Sequence, residues 1–276
     1  MAVYAGIKLE FDPLVRFIKT ENTNLKKDEK CIVTTEFGDD LGIITQEPKN
    51  INPKTNKTDF KFLRIATKED LDKHHISKEK ESNALVVIKE KVNEHKLSMN
   101  TIKAHFLFDS SKILFFFTAE KRIDFRNLVK DLANIFRTRI ELRQINPREA
   151  TRLLGGMGIC GSTLCCRKMS INFDALSVKM AKDQNLSTNT TKLSGACGRL
   201  RCCLAYEHKT YIALRKKFPR IGSNVHVVKS YIENSKILDL PNEIKGSVYD
   251  YNIIKGTIRV VLESDAIVEV PLQGIK

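Results

Sequence analysis

The stretch Thr101–Thr118, TIKAHFLFDSSKILFFFT, decides the fold of this chain. Two runs of strand length, Thr101–Phe108 and Lys112–Thr118, flank Asp109-Ser110-Ser111, and a polar tripeptide between such runs reads as a β-hairpin. The second run continues to Ala119 as KILFFFTA, the longest greasy stretch of the chain, which falls far short of the roughly eighteen apolar residues of a membrane span. Downstream, Phe125, Leu128, Val129, Leu132, Ile135 and Phe136 recur at helical spacing, and Arg139–Ile145 alternates as IELRQI, a strand pattern. Upstream, Thr67-Lys68-Glu69-Asp70 supplies an N-cap and early acids for a helix. Its apolar pattern runs through Leu71, Ile76, Leu85 and Val92 to about Leu97, with a break near Ser77. Long helix, hairpin, helix and strand together predict a sheet with helices on one face, an α+β fold.

Residues 1–66 read as a small β-rich module. Ala2–Leu9 alternates, Lys30–Phe37 and Leu41–Gln46 form a hairpin about Gly38-Asp39-Asp40, Glu47–Lys57 is a loop by composition, and Phe60–Ala66 is a further strand. Residues 67–220 form the central α+β domain. Residues 221–276 hold short alternating segments (Asn224–Val228, Gly246–Tyr251, Thr257–Leu262, Ala266–Val270), the pattern of a C-terminal β module of barrel or sandwich type.

The chemistry is concentrated in a repeat. Cys-Gly-x-x-x-Cys-Cys occurs at Cys160–Cys166 (CGSTLCC) and at Cys197–Cys203 (CGRLRCC), so that Cys160, Cys165 and Cys166 recur as Cys197, Cys202 and Cys203. Six of the seven cysteines therefore lie in 44 residues. Glycines at 155, 156, 158 and 161 point to a tight loop approaching a ligand. Ala175–Asn185 reads as a short helix. Leu200, Leu204, Tyr211, Leu214 and Phe218 predict a helix opening in CGRLRCC and ending before Pro219, which would place Cys197 near a helix N-terminus.

The start, MAVYAGIKLE, lacks the basic and small-residue features of a signal peptide. A cytoplasmic location is the expectation, and there clustered thiols favour metal over disulfides. No C-x₂-C knuckle is present and His208 is the sole nearby histidine, which disfavours a structural zinc site; C-x₄-C spacing suits iron–sulfur ligation better. Adjacent helical residues project about 100° apart, so each Cys-Cys pair is expected to give one ligand, joined by Cys160 and Cys197, with two cysteines left for packing, outer-sphere support or a partner's site. Zinc remains an alternative ion. Small buried hydrophobes are the bland alternative, and the natural reading for Cys31 alone. A thiol redox sensor is a further one, with Cys160 and Cys197 tuned by Arg199 and Arg201.

The net charge of +14 is uneven. Residues 151–220 carry thirteen Lys and Arg against Asp174, Asp183 and Glu207. Such a segment stabilises thiolates and attracts phosphate backbones, so a nucleic-acid-binding module is the second reading. The aromatics expected of a base-stacking platform are sparse there: Phe173, Tyr206, Tyr211 and Phe218. His74-His75 and the run Arg215–Arg220 read as solvated surface. Gly155–Gly158 is no phosphate loop, since no Gly-Lys-Ser/Thr follows. No catalytic constellation stands out, so the chain is not expected to be an enzyme.

Several runs resemble the polymerase-suppressor-protein (PSP) C-terminal-domain family: Asp124–Ala133 (DFRNLVKDLA), Arg137–Ile145, Leu154–Cys160 (LGGMGIC), Ser177–Leu186 and Ser194–Leu204 (SGACGRLRCCL). They span about residues 85–206. Ser162-Thr163 departs from an Arg-Pro common in the family after the first Cys-Gly. The resemblance implies a non-enzymatic cytoplasmic adaptor that assembles with two small helical partner proteins, of the YlbF and YmcA type, in a complex carrying [4Fe–4S] clusters. It also implies a role in RNase Y-dependent mRNA processing and identifies Cys160, Cys165, Cys166, Cys197, Cys202 and Cys203 as the matching cysteines.

Overall fold

The computed structural model describes residues 3–50, 60–168, 176–232 and 243–275, and the fold is α+β. The chain divides into two compact units, Met1–Asp174 with Leu193–Cys202, and Ala175–Lys192 with Cys203–Lys276.

In the first unit the hairpin forms as read. Strand β6 (Asn100–Phe106) pairs antiparallel with β7 (Lys112–Thr118), and Ser110 takes the left-handed backbone the turn needs, with φ 55°. Five strands precede it: β1 (Tyr4–Leu9), β2 (Arg16–Lys19), β3 (Lys30–Thr34), β4 (Asp39–Lys49) and β5 (Lys61–Ile65), in the order β2-β1-β4-β3-β5. The loop expected over Glu47–Lys57 is partly strand, because β4 runs to Lys49; residues 51–57 lie outside the described set. Strand β2 has no counterpart in the sequence reading. It is four residues long and sits at the sheet edge against β1.

Helix α1 (Lys68–Glu94) begins where the sequence places it. Thr67 Oγ1 accepts from Asp70 N while Asp70 Oδ2 accepts from Thr67 N, a reciprocal capping box. The expected break near Ser77 is absent, and the helix stops at Glu94 rather than Leu97. Helix α2 (Arg126–Phe136) then carries the chain back to β8 (Arg139–Gln144), which lies parallel to β7.

Strand β7 is buried on both faces, which explains its unbroken apolar run. Ile113 and Phe115 pack with Ala84, Ile88, Leu128 and Leu132 of α1 and α2, whereas Leu114 and Phe116 join Ile7, Ile18, Val33 and Ile44 of the five-stranded sheet. The helices therefore occupy one face, as expected, and the N-terminal sheet fills the other. Helix α3 (Pro147–Leu154) was not foreseen, though its signals are local: Pro147 at N1, and Asn146 and Glu149 forming a second capping box. Helix α4 (Cys165–Lys168) follows.

The second unit holds α5 (Val178–Asp183), most of α6 (Thr190–Leu193) and, after Cys202, the body of α7 (Cys202–Arg215). Asp183 Oδ2 meets His208 Nε2 at 3.0 Å, and Gln184 donates to the Leu204 carbonyl at 2.7 Å, tying α5 to α7. Strands β9 (Asn224–Val228), β10 (Glu243–Asn252), β11 (Thr257–Leu262) and β12 (Ile267–Pro271) form an antiparallel sheet in the order β12-β11-β10-β9. A bridge from Val227 to Ile275 brings its edges together in barrel fashion. Tyr211, Leu214 and Phe218 pack against its core.

Candidate metal centre

The sequence repeat is a structural repeat. Both Cys-Gly loops belong to the first unit, and three backbone hydrogen bonds and a bridge of one recur in the other at an offset of thirty-seven residues. Gly158 N donates to the Ser162 carbonyl and Gly195 N to that of Arg199, both at 2.8 Å. Gly161 N donates to the Gly158 carbonyl and Gly198 N to the Gly195 carbonyl, both at 3.0 Å. Leu164 N reaches the Gly156 carbonyl and Arg201 N the Leu193 carbonyl, and the bridge Met157–Thr163 recurs as Ser194–Leu200. Gly161 and Gly198 hold φ of 76° and 72°, backbone that other residues adopt only at a cost. The result is a pair of knuckles, each leading from its first cysteine into a helix that begins at the next one, Cys165 for α4 and Cys202 for α7. Helix α7 thus opens within CGRLRCC, as expected, at Cys202, with Cys197 in the loop before it.

The backbone of the first knuckle is turned toward sulfur. The Ser162 N–H, helped by the Ser162 hydroxyl and by Arg201, holds the exposed Cys160 thiol below its ordinary pKa. Cys166 is buried, at 4% exposure. A hydrogen bond from Cys202, followed by the charges of Arg152 and Arg148, lowers its pKa to about 6. Cys202 is correspondingly pushed up, since losing its proton would set a second thiolate beside Cys166 and near Cys165. Both arginines come from α3, and Arg148 Nη2 also donates to the Leu200 carbonyl at 2.9 Å, fastening the second knuckle to that helix. Arg152 Nε is buried without a hydrogen-bond partner among the described residues. Neither arginine was singled out by sequence; Pro147 and Asn146 mark their helix, but nothing local says that it faces the thiols.

The structure brings Cys166 and Cys202 together, with Cys165 near Cys202, and sets Cys160 close enough to Arg201 to feel its charge. Cys197 lies in the second knuckle, and Cys203 falls in the second unit. Three sulfurs at about 2.3 Å from a tetrahedral zinc would sit about 3.8 Å apart. Among the described residues no three cysteine sulfurs lie within 4.8 Å of one another. Thiols held by an N–H group and flanked by arginines are suited to an anionic metal–thiolate centre. Cys31, by contrast, is a buried strand residue whose thiol is pushed up to about 12 by burial.

A second cluster lies in the first unit, away from the cysteines. Glu10, Glu81 and His105 offer ligand atoms within 4.8 Å, but Lys78 pairs with both carboxylates and fills the position a cation would take. His105 Nε2 lies 2.8 Å from Asp40 Oδ2 and Nδ1 lies 2.9 Å from Glu81 Oε1, with His105 and Asp40 essentially buried. Burial works against the charged imidazole, but the two carboxylates overcome it and raise the pKa to about 9. His74, expected to face solvent, instead approaches Glu10 at 3.5 Å, while His75 is exposed.

The hairpin–helix–strand unit lies within one family model, the PSP1 C-terminal conserved region over residues 60–145, and the second knuckle lies within another, the third domain of PSP1-like proteins over residues 175–218. The chain belongs to the PSP1 family. It is 40% identical over 221 residues, 80% of its own length and 80% of the relative's, to the stage 0 sporulation protein YaaT of Bacillus subtilis. A shorter match, 36% over 80 residues, covers 29% of the chain and 11% of an uncharacterized protein, PB7E8.02, of Schizosaccharomyces pombe. No solved structure matches at a significant level. Among the described residues no helix is long and apolar enough to cross a membrane.

Proposed function

We propose that this chain is a non-enzymatic regulatory subunit that carries a [4Fe–4S] cluster on its two knuckles and acts through protein contacts in RNase Y-dependent mRNA processing in the cytoplasm. The observation that carries the reading is the repetition of the knuckle hydrogen bonds, with thiols polarised by backbone N–H groups and by Arg148 and Arg152. The proposed ligands are Cys160, Cys197 and one member of each Cys-Cys pair, Cys165 or Cys166 and Cys202 or Cys203. A bound cluster would tie the knuckles together and supply a one-electron, oxygen-labile centre. Similarity to a protein named for stage 0 of sporulation supports a regulatory role. Two small helical partner proteins and RNase Y are the proposed contacts.

The test is to delete the gene and map transcript ends. RNase Y-dependent ends should be lost, and restored by the wild-type chain but not by Cys160→Ser/Cys197→Ser. Unchanged ends in the deletion strain would refute the proposal.

A second reading has one observation in its favour, the hydrogen-bonded Cys166 and Cys202. Their thiols could join as a disulfide, releasing two electrons and two protons that reduce hydrogen peroxide to two waters. Mass mapping after mild oxidation should then show a Cys166–Cys202 link; an unchanged thiol count would reject it.

A further inference from the structure

A cleft of about 1230 Å³ in the first unit opens where β7 and β8 end side by side. Parallel neighbours deliver their carboxyl ends to one place, and ligands of α/β sheets commonly bind there. Four cations line this cleft from three separate segments: Lys96 just beyond α1, Lys121 and Arg122 after β7, and Arg199 from the second knuckle. All four are exposed, and none forms an ion pair among the described residues. Glu120 is the one carboxylate in the lining. Four cations gathered in a concavity with one carboxylate among them make it electropositive, and such a cleft attracts anions. Lys96 holds its position through a left-handed backbone, φ 52°.

The shape selects among anions. A single phosphate would engage one of these segments, not cations spread around the rim of a cleft this size. A duplex keeps its bases paired and stacked inside, so it cannot lay them on the floor of a cleft. A single strand follows a basic groove with its backbone and lays its bases on the floor. Half-buried Met99 and Ile123 give that floor an apolar surface. Arg199 stands where the first knuckle has Ser162, so the two structurally repeated loops differ in charge at the position that faces the cleft.

We infer that this cleft binds the phosphodiester backbone of single-stranded nucleic acid, with Lys96, Lys121, Arg122 and Arg199 as its phosphate-binding groups. The inference goes beyond the regulatory reading and does not depend on a cluster being present.

The experiment is fluorescence anisotropy on the full chain with a labelled single-stranded RNA of about twelve nucleotides, within the ~4–16 that one strand-binding fold covers. Binding should weaken linearly in log–log form as salt rises. Lys121→Gln/Arg122→Gln should lower affinity roughly tenfold and reduce the slope by ~0.7 for each phosphate no longer neutralised. Arg199→Gln should act in the same direction, and Lys27→Gln, exposed in the turn before β3, should change nothing. These side chains are exposed, so the variants should fold as wild type, which circular dichroism verifies. DNA of the same sequence should also bind, and its affinity relative to RNA tells which sugar the cleft prefers. Equal binding by wild type and the cleft variants, tighter binding of a duplex, or equal binding of polyglutamate would each overturn the proposal.

Discussion

Cys166 and Cys202 share a hydrogen bond although they are not counterparts in the repeat: Cys166 corresponds to Cys203, and Cys202 to Cys165. The second thiol of the first pair thus meets the first thiol of the second, and the symmetry of the two knuckles ends at this contact. In the metal-free protein Cys166 should ionise near pH 6, followed by thiolate absorbance in the ultraviolet. Cys166→Ser should abolish that transition. Cys202→Ala removes the donor and should move it upward, toward the ordinary cysteine value of about 8.5. A transition near pH 6 that persists in Cys166→Ser would contradict the assignment.

Gly161 and Gly198 give a symmetric prediction. Nothing lies within 4 Å of a Cβ added at either position, so Gly→Ala meets only the positive φ. Each substitution should cost about 1–2 kcal/mol in urea unfolding. The two costs should match if the knuckles are structural equals, and a cost at one position alone would separate them.

Stability should depend on pH through His105. Its folded pKa, about 9, lies above the unfolded value of about 6.5, so its contribution is fully present below about pH 6.5 and is lost as pH rises through 9. On the acid side, Glu10 is held low: burial opposes its charge, but His74 and Lys78 outweigh that, and Glu81 is held low similarly by His105 and Lys78. Their contribution is present above about pH 4.3 and is lost as pH falls. The urea midpoint should form a plateau between these limits and decline toward pH 9. His105→Gln leaves Asp40 buried without its partner and should cost about 3–5 kcal/mol, with the alkaline decline removed. A decline of the same size in His105→Gln would exclude His105 as its source.

The start of α1 is a local device with a local cost. Thr67→Ala should lower stability by about 1 kcal/mol, and Thr67→Ser should restore it. Equal midpoints for Thr67→Ala and wild type would show that Arg64, which pairs with Asp70, secures the helix start alone.

What the sequence disclosed follows from how local each signal is. Thr67 and Asp70 lie three residues apart, the hairpin turn is contiguous, and Lys112–Thr118 announces its burial by composition, so these elements were legible. The break expected near Ser77 did not occur, because Lys78 and Glu81, one turn on, are held by Glu10 and His105 from elsewhere in the chain. That network joins residues far apart in sequence and leaves no spacing to read. The repeat marked the six thiols, and its glycines marked their loops. The meeting of Cys166 with Cys202, and the role of α3 in charging it, depend on how the two knuckles pack, which a thirty-seven-residue offset does not specify.

The most direct test is anaerobic purification, with a visible spectrum and analysis of iron, acid-labile sulfide and zinc. A brown protein with iron and sulfide in equal amounts, losing both in Cys160→Ser and Cys197→Ser, is the predicted result. A colourless protein holding one zinc, even when purified with its partner proteins, would contradict it.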